Sequence, residues 1–397
     1  MAKGDGFKPK HKGGNKWLVT IACGYNAMGK PIRKSEIFLA SPKKSPEAQL
    51  KEACRYRDKL RAQYEEGKIS AVKEITLKDY SEEWMNSYCV RKGLKPSTMS
   101  NYQNLLDTRI IPKLGKLKLK EITPAELNKF FNELRKDGIS GTYQKAYYTL
   151  LHTILKSAVM EQRIVINPTE RIESPKKDTK ESVHFTAEEA RRFAESVCSE
   201  AAAKWRAYAL LAVSTGMRKG EVLGLNWADI NFSEGSISIT RSVAFASKGG
   251  GQYISTPKTA QSVRTVPIGK NVSIALAEWK KEQNEARLKL GETWEGTGDH
   301  RDAVFTQETG KRMHTDTPGE WFKRFKKAHA LPDIKLHGLR HTAATLMLEQ
   351  GINVVDLSRM LGHSRPETTY NIYLHQNKKA QRETAEKMDV VLFGNIG

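Results

Sequence analysis

Four short segments of the chain concentrate side chains that can act as nucleophiles, cations or proton donors. They are T-G-M-R-K-G-E at Thr215 to Glu221, P-K-T-A-Q-S-V-R at Pro257 to Arg264, H-G-L-R-H at His337 to His341, and L-G-H-S-R-P-E-T-T-Y-N-I-Y-L-H at Leu361 to His375. Breaking a phosphodiester bond without a metal ion requires a nucleophile, positive charge on the non-bridging oxygens and a proton for the leaving alkoxide. The residue types in these segments can supply all three.

Arginine and tyrosine are the two residue types on which this chemistry depends most. A guanidinium offers phosphate a planar fork of N–H donors and keeps its charge at pH 7. A tyrosine with a pKa of ~10 is only about one part in a thousand phenolate at pH 7, so a nucleophilic tyrosine needs a cationic pocket. Glu221 follows Arg218 by three residues and can pair with it, and the same spacing places His337 and Arg340 on one side of a helical turn. His341 receives no role.

A metal site is not expected from these residues. Glu221 and Asp229 are eight positions apart with apolar residues between them, and the histidines stand beside arginines, which repel a divalent cation. The sequence therefore predicts a site without metal ligands.

In their order along the chain, the four segments resemble the active site of the tyrosine recombinases. That family has the order Arg, Lys, His-x-x-Arg, His, Tyr, and the matching positions are Arg218, Lys258, His337, Arg340, His363 and Tyr373. The resemblance implies that Arg218 and Arg340 contact the scissile phosphate and that Tyr373 is the nucleophile. Tyr370 is assigned to packing, because the family's nucleophile stands two residues before a histidine and nine or ten after the L-G-H histidine.

The resemblance gives the remaining matched residues supporting roles. Lys258 lies in P-K-T before a strand ending V-P-I, which resembles the family's β-hairpin lysine that protonates the leaving 5′ oxygen. Its alternative role is a contact to the phosphate backbone. His337 and His363 are implied to hydrogen-bond the phosphate and to handle protons. Glu221 is implied to be an acidic structural residue that supports Arg218.

These segments fall in the last of three predicted domains, and the first domain, residues 1–70, is basic. Met1 to Lys68 holds 16 Lys and Arg against 7 Asp and Glu. Residues 17–25 and 32–39 predict strands, and Ser45, Pro46 and Glu47 open a helix to about Glu66. We interpret this small sheet with one helix as a DNA-binding domain, an arm-site domain in the terms of the family.

The rest of the chain is predicted to be mainly helical. Residues 74–168 predict a helical bundle, the core-binding domain. Residues 169–182 predict a linker, because the stretch 167–181 has two prolines, many charges and little apolar periodicity. Residues 183–397 predict a mixed α/β catalytic domain with a C-terminal tail. Its predicted helices are 187–199, 202–215, 272–290, 319–329, 341–350 and 354–361, and its predicted strands, 236–244 and 264–268, flank a glycine-rich turn at 249–251. The apolar M-D-V-V-L-F of the tail is expected either to pack into its own core or to dock on another copy. The resemblance favours docking on another copy, because family members exchange C-terminal segments around a ring.

Composition limits the partners. Lys and Arg number 66 against 45 Asp and Glu, so the formal charge of +21 favours a polyanion. Nucleic acid is preferred to a membrane, because no run approaches ~18 apolar residues and the first residues lack an apolar signal core. We expect a soluble, cytoplasmic protein. Four scattered cysteines without a C-x-x-C pair argue against a zinc cluster and against disulfides.

The chain looks most like the integrases of conjugative transposons and temperate phages. The resemblance implies integration and excision of a mobile element through a 3′-phosphotyrosyl intermediate and a four-way junction, with no ATP, metal or other cofactor. It implies a tetramer on double-stranded DNA with core and arm sites, assisted by an excisionase and a DNA-bending host protein. Three alternatives stay open: a type IB topoisomerase, a catalytically inert DNA-binding regulator, and an RNA-binding protein. The last lacks the aromatic and glycine pattern of an RNA-recognition module.

Overall fold

The computed structural model describes residues 7–25, 31–65, 74–178, 183–248, 250–255, 263–362, 388–389 and 392–394. The chain divides into two compact units, Met1–Thr179 and Lys180–Gly397. The boundary between them falls inside the predicted linker 169–182, and the division into three domains remains a prediction. Among the described helices, none is both long enough and apolar enough to cross a membrane.

The N-terminal part of the first unit is an antiparallel sheet covered by one helix. The strands, in spatial order, are β1 (Lys10–His11), β2 (Lys16–Tyr25) and β3 (Pro31–Leu39), and the helix is α1 (Pro46–Glu65). Alternate residues of β2 belong to the core that also holds residues of α1, and they are Trp17, Val19, Ile21 and Cys23. β2, β3 and α1 confirm the predicted elements to within one residue, whereas β1 was not predicted.

The rest of the first unit is helical. Its helices are α2 (Leu77–Arg91), α3 (Pro96–Leu105), α4 (Ile111–Leu114), α5 (Pro124–Lys136) and α6 (Gly141–Met160), and a π-helical stretch, Leu106–Ile110, joins α3 to α4. Thr76, Thr123 and Ser140 cap α2, α5 and α6, each accepting from the backbone N–H three residues on. In the core, the indole N–H of Trp84 donates to Ser157 Oγ at 2.9 Å. The predicted helical bundle is confirmed.

The chain after α6 packs against the first unit. Thr169 is fully buried, and Asp178 Oδ2 accepts from the backbone N–H of Thr142 at 3.3 Å. A Cβ on Gly141 would lie 2.4 Å from the carbonyl oxygen of Lys176, so the close passage of the two backbones requires glycine. The segment 169–178, predicted to belong to a linker, is therefore a packed part of this unit up to Asp178. Sequence periodicity does not register these contacts, because Asp178 and Thr142 are 36 positions apart along the chain.

The second unit is built mainly from helices around the largest apolar core. They are α7 (Ala187–Glu200), α8 (Ala203–Thr215), α9 (Lys219–Gly224), α10 (Lys270–Leu290), α11 (Thr317–Ala328), α12 (Gly338–Glu349) and α13 (Val354–Leu361). The predicted helices are confirmed to within three residues at either end. The six-residue α9 was not predicted, because it is too short to show helical periodicity.

The described residues of the second unit also form two small sheets, which correct the strand prediction. β4 (Ile230–Asn231), β5 (Ser236–Ile239) and β8 (Arg264–Pro267) form one sheet in the order β4-β5-β8, and β6 (Ser242–Ala246) pairs with β7 (Gly251–Ser255). The continuous strand predicted over 236–244 is wrong, because the chain breaks between β5 and β6, where α9 packs against it. A Cβ on Gly224 would lie 2.9 Å from the carbonyl oxygen of Arg241. The strand that follows the glycine-rich turn and pairs with β6 is β7, whereas the strand predicted there, 264–268, is β8 and pairs with β5.

Candidate active site

The site begins where α8 ends. Gly216, the residue after Thr215, has φ +64°, a left-handed conformation that ends the helix and turns the chain toward α9. A Cβ at this position would lie 2.7 Å from Leu361 Cδ2 and 3.2 Å from Ala343 Cβ. Glycine therefore lets α12 and α13 approach the turn closely. Two residues later, Arg218 occupies the N-cap position of α9.

Arg218 and Glu221 pair within the first turn of α9. Glu221 Oε2 accepts from the backbone N–H of Arg218 at 2.9 Å, and Arg218 Nη1 donates to Glu221 Oε1 at 2.8 Å. The Arg218 side chain is 40% exposed, whereas that of Glu221 is 8% exposed. The pairing expected from their three-residue spacing is thus present, with the carboxylate inside and the guanidinium reaching solvent.

Arg264, at the start of β8, is a second partner of the same carboxylate. Its Nη2 donates to Glu221 Oε2 at 2.8 Å and its Nη1 to Oε1 at 3.2 Å. Burial by itself would raise the pKa of Glu221, but the hydrogen bonds and charges of Arg264 and Arg218 outweigh it and hold this pKa below its ordinary value. Glu221 is therefore ionised at pH 7.

Arg340 approaches the same place from α12. It is 5% exposed, its Nη1 donates to the carbonyl oxygen of Gly216 at 2.7 Å, and its Nη2 donates to that of Leu361 at 2.7 Å. Burial, followed by the charge of Arg218, lowers the pKa of Arg340 to about 9. The guanidinium therefore still carries its charge at pH 7. We call Arg218, Glu221, Arg264 and Arg340 the arginine cluster.

The C-terminus of α13 lies against the arginine cluster. Arg264 Nε donates to the carbonyl oxygen of Met360 at 2.6 Å, and Arg218 Nη2 donates to that of Gly362 at 2.9 Å. Cations are favourable at a helix C-terminus, where the last carbonyls have no partner within the helix. The next residue along the chain is His363. His363, Tyr373 and Lys258, three of the predicted site residues, lie outside the described residues.

His337 stands at the N-cap position of α12, beside the arginine cluster. Burial, then the charges of Arg340 and Arg218, lowers the pKa of His337, so the imidazole is neutral at pH 7. Its ring meets the ring of His341 edge to face, with centroids 5.1 Å apart and an interplanar angle of 88°. His341, which the sequence left without a role, is thus in contact with a predicted site residue.

The chemistry that this arrangement permits follows from its charge balance. Among the described residues, the cluster holds three guanidinium groups and one carboxylate, so it has an excess of positive charge beside a neutral imidazole. Such a site attracts an anion, and Arg218 is the member that solvent reaches most freely. Within the part of the chain that the structure describes, no group of three or more His, Cys, Asp or Glu side chains is arranged to hold a metal ion.

Arg264 is the member of the cluster that sequence reasoning missed. It closes the segment P-K-T-A-Q-S-V-R, but its partners are distant along the chain, 43 residues away at Glu221 and 96 away at Met360. The one available signal was an arginine at the first residue of a short strand, which is equally typical of a surface position.

Known proteins are similar to this chain in both sequence and fold. Residues 184–380 match the model of the phage integrase family, and residues 76–135 match that of the phage integrase N-terminal SAM-like domain. A XerC-like tyrosine recombinase of Caldanaerobacter subterraneus subsp. tengcongensis is 30% identical over 393 residues, covering 94% of this chain and 95% of the relative. The ICEBs1 integrase of Bacillus subtilis is 27% identical, covering 86% of this chain and 90% of the relative.

Solved structures agree at the level of the fold. The Tn1549 transposon integrase in complex with a circular intermediate DNA has a TM-score of 0.66 and 20% identity, covering 78% of this chain and 99% of that one. A lambda integrase dimer bound to a COC′ core site has a TM-score of 0.56 and 18% identity, covering 94% of this chain and 96% of that one. The chain therefore belongs to the phage integrase family of tyrosine recombinases.

Proposed function

We propose that this chain is a site-specific DNA recombinase that cuts and rejoins DNA through a covalent phosphotyrosyl intermediate. The observation that supports the proposal most strongly is the arginine cluster at the end of α13. From there the chain continues to His363 and Tyr373, so a cationic pocket and a tyrosine are joined by a short stretch of sequence. A cationic pocket is what a tyrosine of ordinary pKa needs in order to attack a phosphodiester.

Arg218 and Arg340 are proposed to contact the non-bridging oxygens of the scissile phosphate. Their charge would stabilise the negative charge that builds up on these oxygens in the transition state. The existing hydrogen bonds to Glu221 and to the carbonyls of α13 hold both guanidinium groups in place before DNA binds, so little reorganisation is needed during the reaction.

The covalent step conserves bonds. The Tyr373 oxygen forms a bond to phosphorus as the bond from phosphorus to the 5′ oxygen breaks, leaving a 3′-phosphotyrosine and a 5′ hydroxyl. Lys258 is proposed to give its proton to the leaving oxygen. His337, neutral at pH 7, and His363 are proposed to hydrogen-bond the phosphate and to take up the tyrosine proton. A 5′ hydroxyl of the partner strand then displaces the tyrosine, so neither ATP nor another cofactor is consumed.

Strand exchange between two duplexes requires several protomers. We propose a tetramer that works on double-stranded DNA through a four-way junction, by analogy with the lambda integrase tetramer bound to a Holliday junction. The substrate would be the ends of a mobile element, recognised at core and arm sites, and an excisionase and a DNA-bending host protein would set the direction. The place of action would be the cytoplasm, on the nucleoid.

The proposal is tested by trapping the intermediate. Nicked duplexes tiled across the DNA that flanks the gene are incubated with the protein and EDTA, and covalent adducts are sought on a denaturing gel. We expect an adduct that Tyr373→Phe abolishes and that the matched control Tyr370→Phe retains. Tight binding without any adduct would instead identify an inert DNA-binding regulator.

The trapped site also separates a recombinase from a type IB topoisomerase. Two duplexes that carry the mapped site and different flanking lengths are mixed with the protein. A recombinase yields hybrid products that combine the flanks of both duplexes. Relaxation of a supercoiled plasmid with no hybrid product would favour the topoisomerase.

A further inference from the structure

Arg264 connects three elements of the second unit through one side chain. It starts β8, donates through both Nη atoms to Glu221 of α9, and donates through Nε to the carbonyl oxygen of Met360 in α13. The side chain is 7% exposed and that of Glu221 is 8% exposed, so this is a buried ion pair. In a buried pair each group depends on the other, because loss of one partner leaves an uncompensated charge.

The carboxylate of Glu221 is fully engaged by the two arginines. Oε1 accepts from Arg218 Nη1 and Arg264 Nη1, and Oε2 accepts from the backbone N–H of Arg218 and from Arg264 Nη2. A carboxylate has about four acceptor sites, and these four hydrogen bonds fill them. Arg264 therefore fixes the orientation of the group to which Arg218 is bound.

The end of α13 is shaped around the Arg264 guanidinium. Gly362 has φ +65°, and a Cβ there would lie 2.7 Å from Arg264 Nη1 and 3.0 Å from its Cζ. The chain turns out of α13 directly over this side chain. Arg264 is thus in contact both with the carboxylate that holds Arg218 and with the residues at which the chain leaves α13.

We propose that Arg264 is a positioning residue for strand cleavage, acting through Glu221 on Arg218 and through Met360 on the end of α13. The inference rests on the proposed function and extends it to a residue outside the matched set. Arg264 is largely enclosed by protein and does not itself need to touch the phosphate. Arg264 is the first residue of β8 and follows Lys258 by six positions. A short length of chain therefore connects Lys258 to the arginine cluster.

The test is a single-turnover cleavage assay on a nicked duplex that the wild-type protein cuts. Arg264→Lys keeps the positive charge but has no planar fork to hold two carboxylate oxygens and a carbonyl together. We expect the rate of adduct formation per folded molecule to fall by on the order of 10²-fold, with duplex affinity unchanged. The matched control is Arg312→Lys, which alters a buried arginine that contacts the opposite end of α9, and it should keep the wild-type rate.

A double variant separates positioning from general destabilisation. If Arg264 acts through Glu221 on Arg218, then Arg264→Lys should reduce the rate much less in an Arg218→Lys background than in the wild type. Equal reductions in both backgrounds would overturn the inference, as would an Arg264→Lys protein with the wild-type rate. A wild-type protein that forms no adduct at all would overturn the proposed function itself, and the inference with it.

A second pair of variants covers the case in which Arg264→Lys does not fold. Gly362→Ala presses a methyl group onto the Arg264 guanidinium, whereas Gly351→Ala places one in open space with φ also positive, at +84°. The two share backbone strain and differ in the contact with Arg264 and in the Gly362 carbonyl, which accepts from Arg218. Slower cleavage by Gly362→Ala alone supports the inference, and equal rates for the two variants contradict it.

Discussion

Two buried arginines of the second unit, Arg340 and Arg312, make the same kind of hydrogen bond, to backbone carbonyls, but lie in different electrostatic surroundings. Arg340 donates to the carbonyls of Gly216 and Leu361, while Arg312 Nη1 donates to those of Leu223 at 2.8 Å and Leu225 at 3.1 Å. Burial is the main cause that lowers the pKa of each, to about 9 for Arg340 and about 10 for Arg312. Neither burial nor hydrogen bonding therefore distinguishes a site arginine from a structural one.

The difference between them lies in the surrounding charge. Within the described part of the chain, the charges that act on Arg312 are those of Arg241 and of three acidic groups, Asp229, Asp299 and Asp302. Those that act on Arg340, counted over the same residues, are two arginines and the carboxylate of Glu221. The acidic groups around Arg312 neutralise the positive charge there, whereas the surroundings of Arg340 keep a net positive charge. An excess of cations at a place that solvent reaches is the property that suits a site for phosphate.

The largest effect is expected from Arg218→Ala. The substitution removes the most exposed guanidinium of the arginine cluster, so a developing phosphate charge loses one of its partners. The single-turnover rate of adduct formation should fall by about 10²- to 10³-fold, the usual loss when one such donor is removed. Thermal unfolding should change little. A rate within threefold of wild type would show that the charge excess is not used in cleavage.

The next effect concerns Gly216, whose carbonyl holds Arg340. Gly216→Ala adds backbone strain of about 1–2 kcal/mol and overpacks Leu361 and Ala343 by about 1–3 kcal/mol. We expect both a lower free energy of unfolding in urea and slower cleavage, because the Arg340 guanidinium must shift with its acceptor. Gly351→Ala, with strain but no neighbour within 4 Å, should lose stability without slower cleavage. Slower cleavage in both variants would mean that strain alone is responsible.

Arg312→Lys should show the opposite behaviour to Arg218→Ala. Carbonyls at the end of α9 lose a donor, which costs about 1–3 kcal/mol of unfolding free energy for a buried group left unpaired. The cleavage rate per folded molecule should stay at the wild-type value. Slow cleavage by Arg312→Lys with unchanged stability would contradict the assignment of Arg312 to a structural role.

The sequence predicted what depends on neighbours close along the chain. The bounds of the longer helices follow from local periodicity and capping, and the pair Arg218 and Glu221 follows from a spacing of three. Contacts between residues far apart along the chain could not be predicted from the sequence. Arg264 meets partners 43 and 96 residues away, and the break after Ile239 was missed because it lies where α9, a distant helix, packs against the chain. The roles of Lys258, His363 and Tyr373 remain predictions from the family resemblance.

The smallest effect is a dependence of stability on pH that arises beside the arginine cluster. Burial, then His337, Arg340 and His184, lowers the pKa of His341 to about 4. An unfolded histidine has a pKa of about 6.5 and takes up its proton first as the pH falls. The stabilisation is therefore complete above about pH 6.5 and is lost progressively toward pH 4.

This dependence can be measured with His341→Phe, which keeps an aromatic ring and removes the titration. Between pH 7 and pH 5 the unfolding free energy of the wild type should decrease more steeply than that of the variant. Parallel curves for the two proteins would contradict the assignment. The cleavage rate at pH 7 should be little affected, since His341 is neutral at that pH and adds no charge beside the arginine cluster.

The charge excess of the arginine cluster is tested most directly by changing the charge of the substrate. The single-turnover rate of Arg218→Ala is measured on the mapped duplex and on the same duplex with a methylphosphonate at the cleaved position, which removes the negative charge of one non-bridging oxygen. We expect the loss relative to wild type to be much smaller on the methylphosphonate, because less negative charge on the phosphate needs a cationic partner. An equal loss on both substrates would show that Arg218 does not stabilise charge on the scissile phosphate.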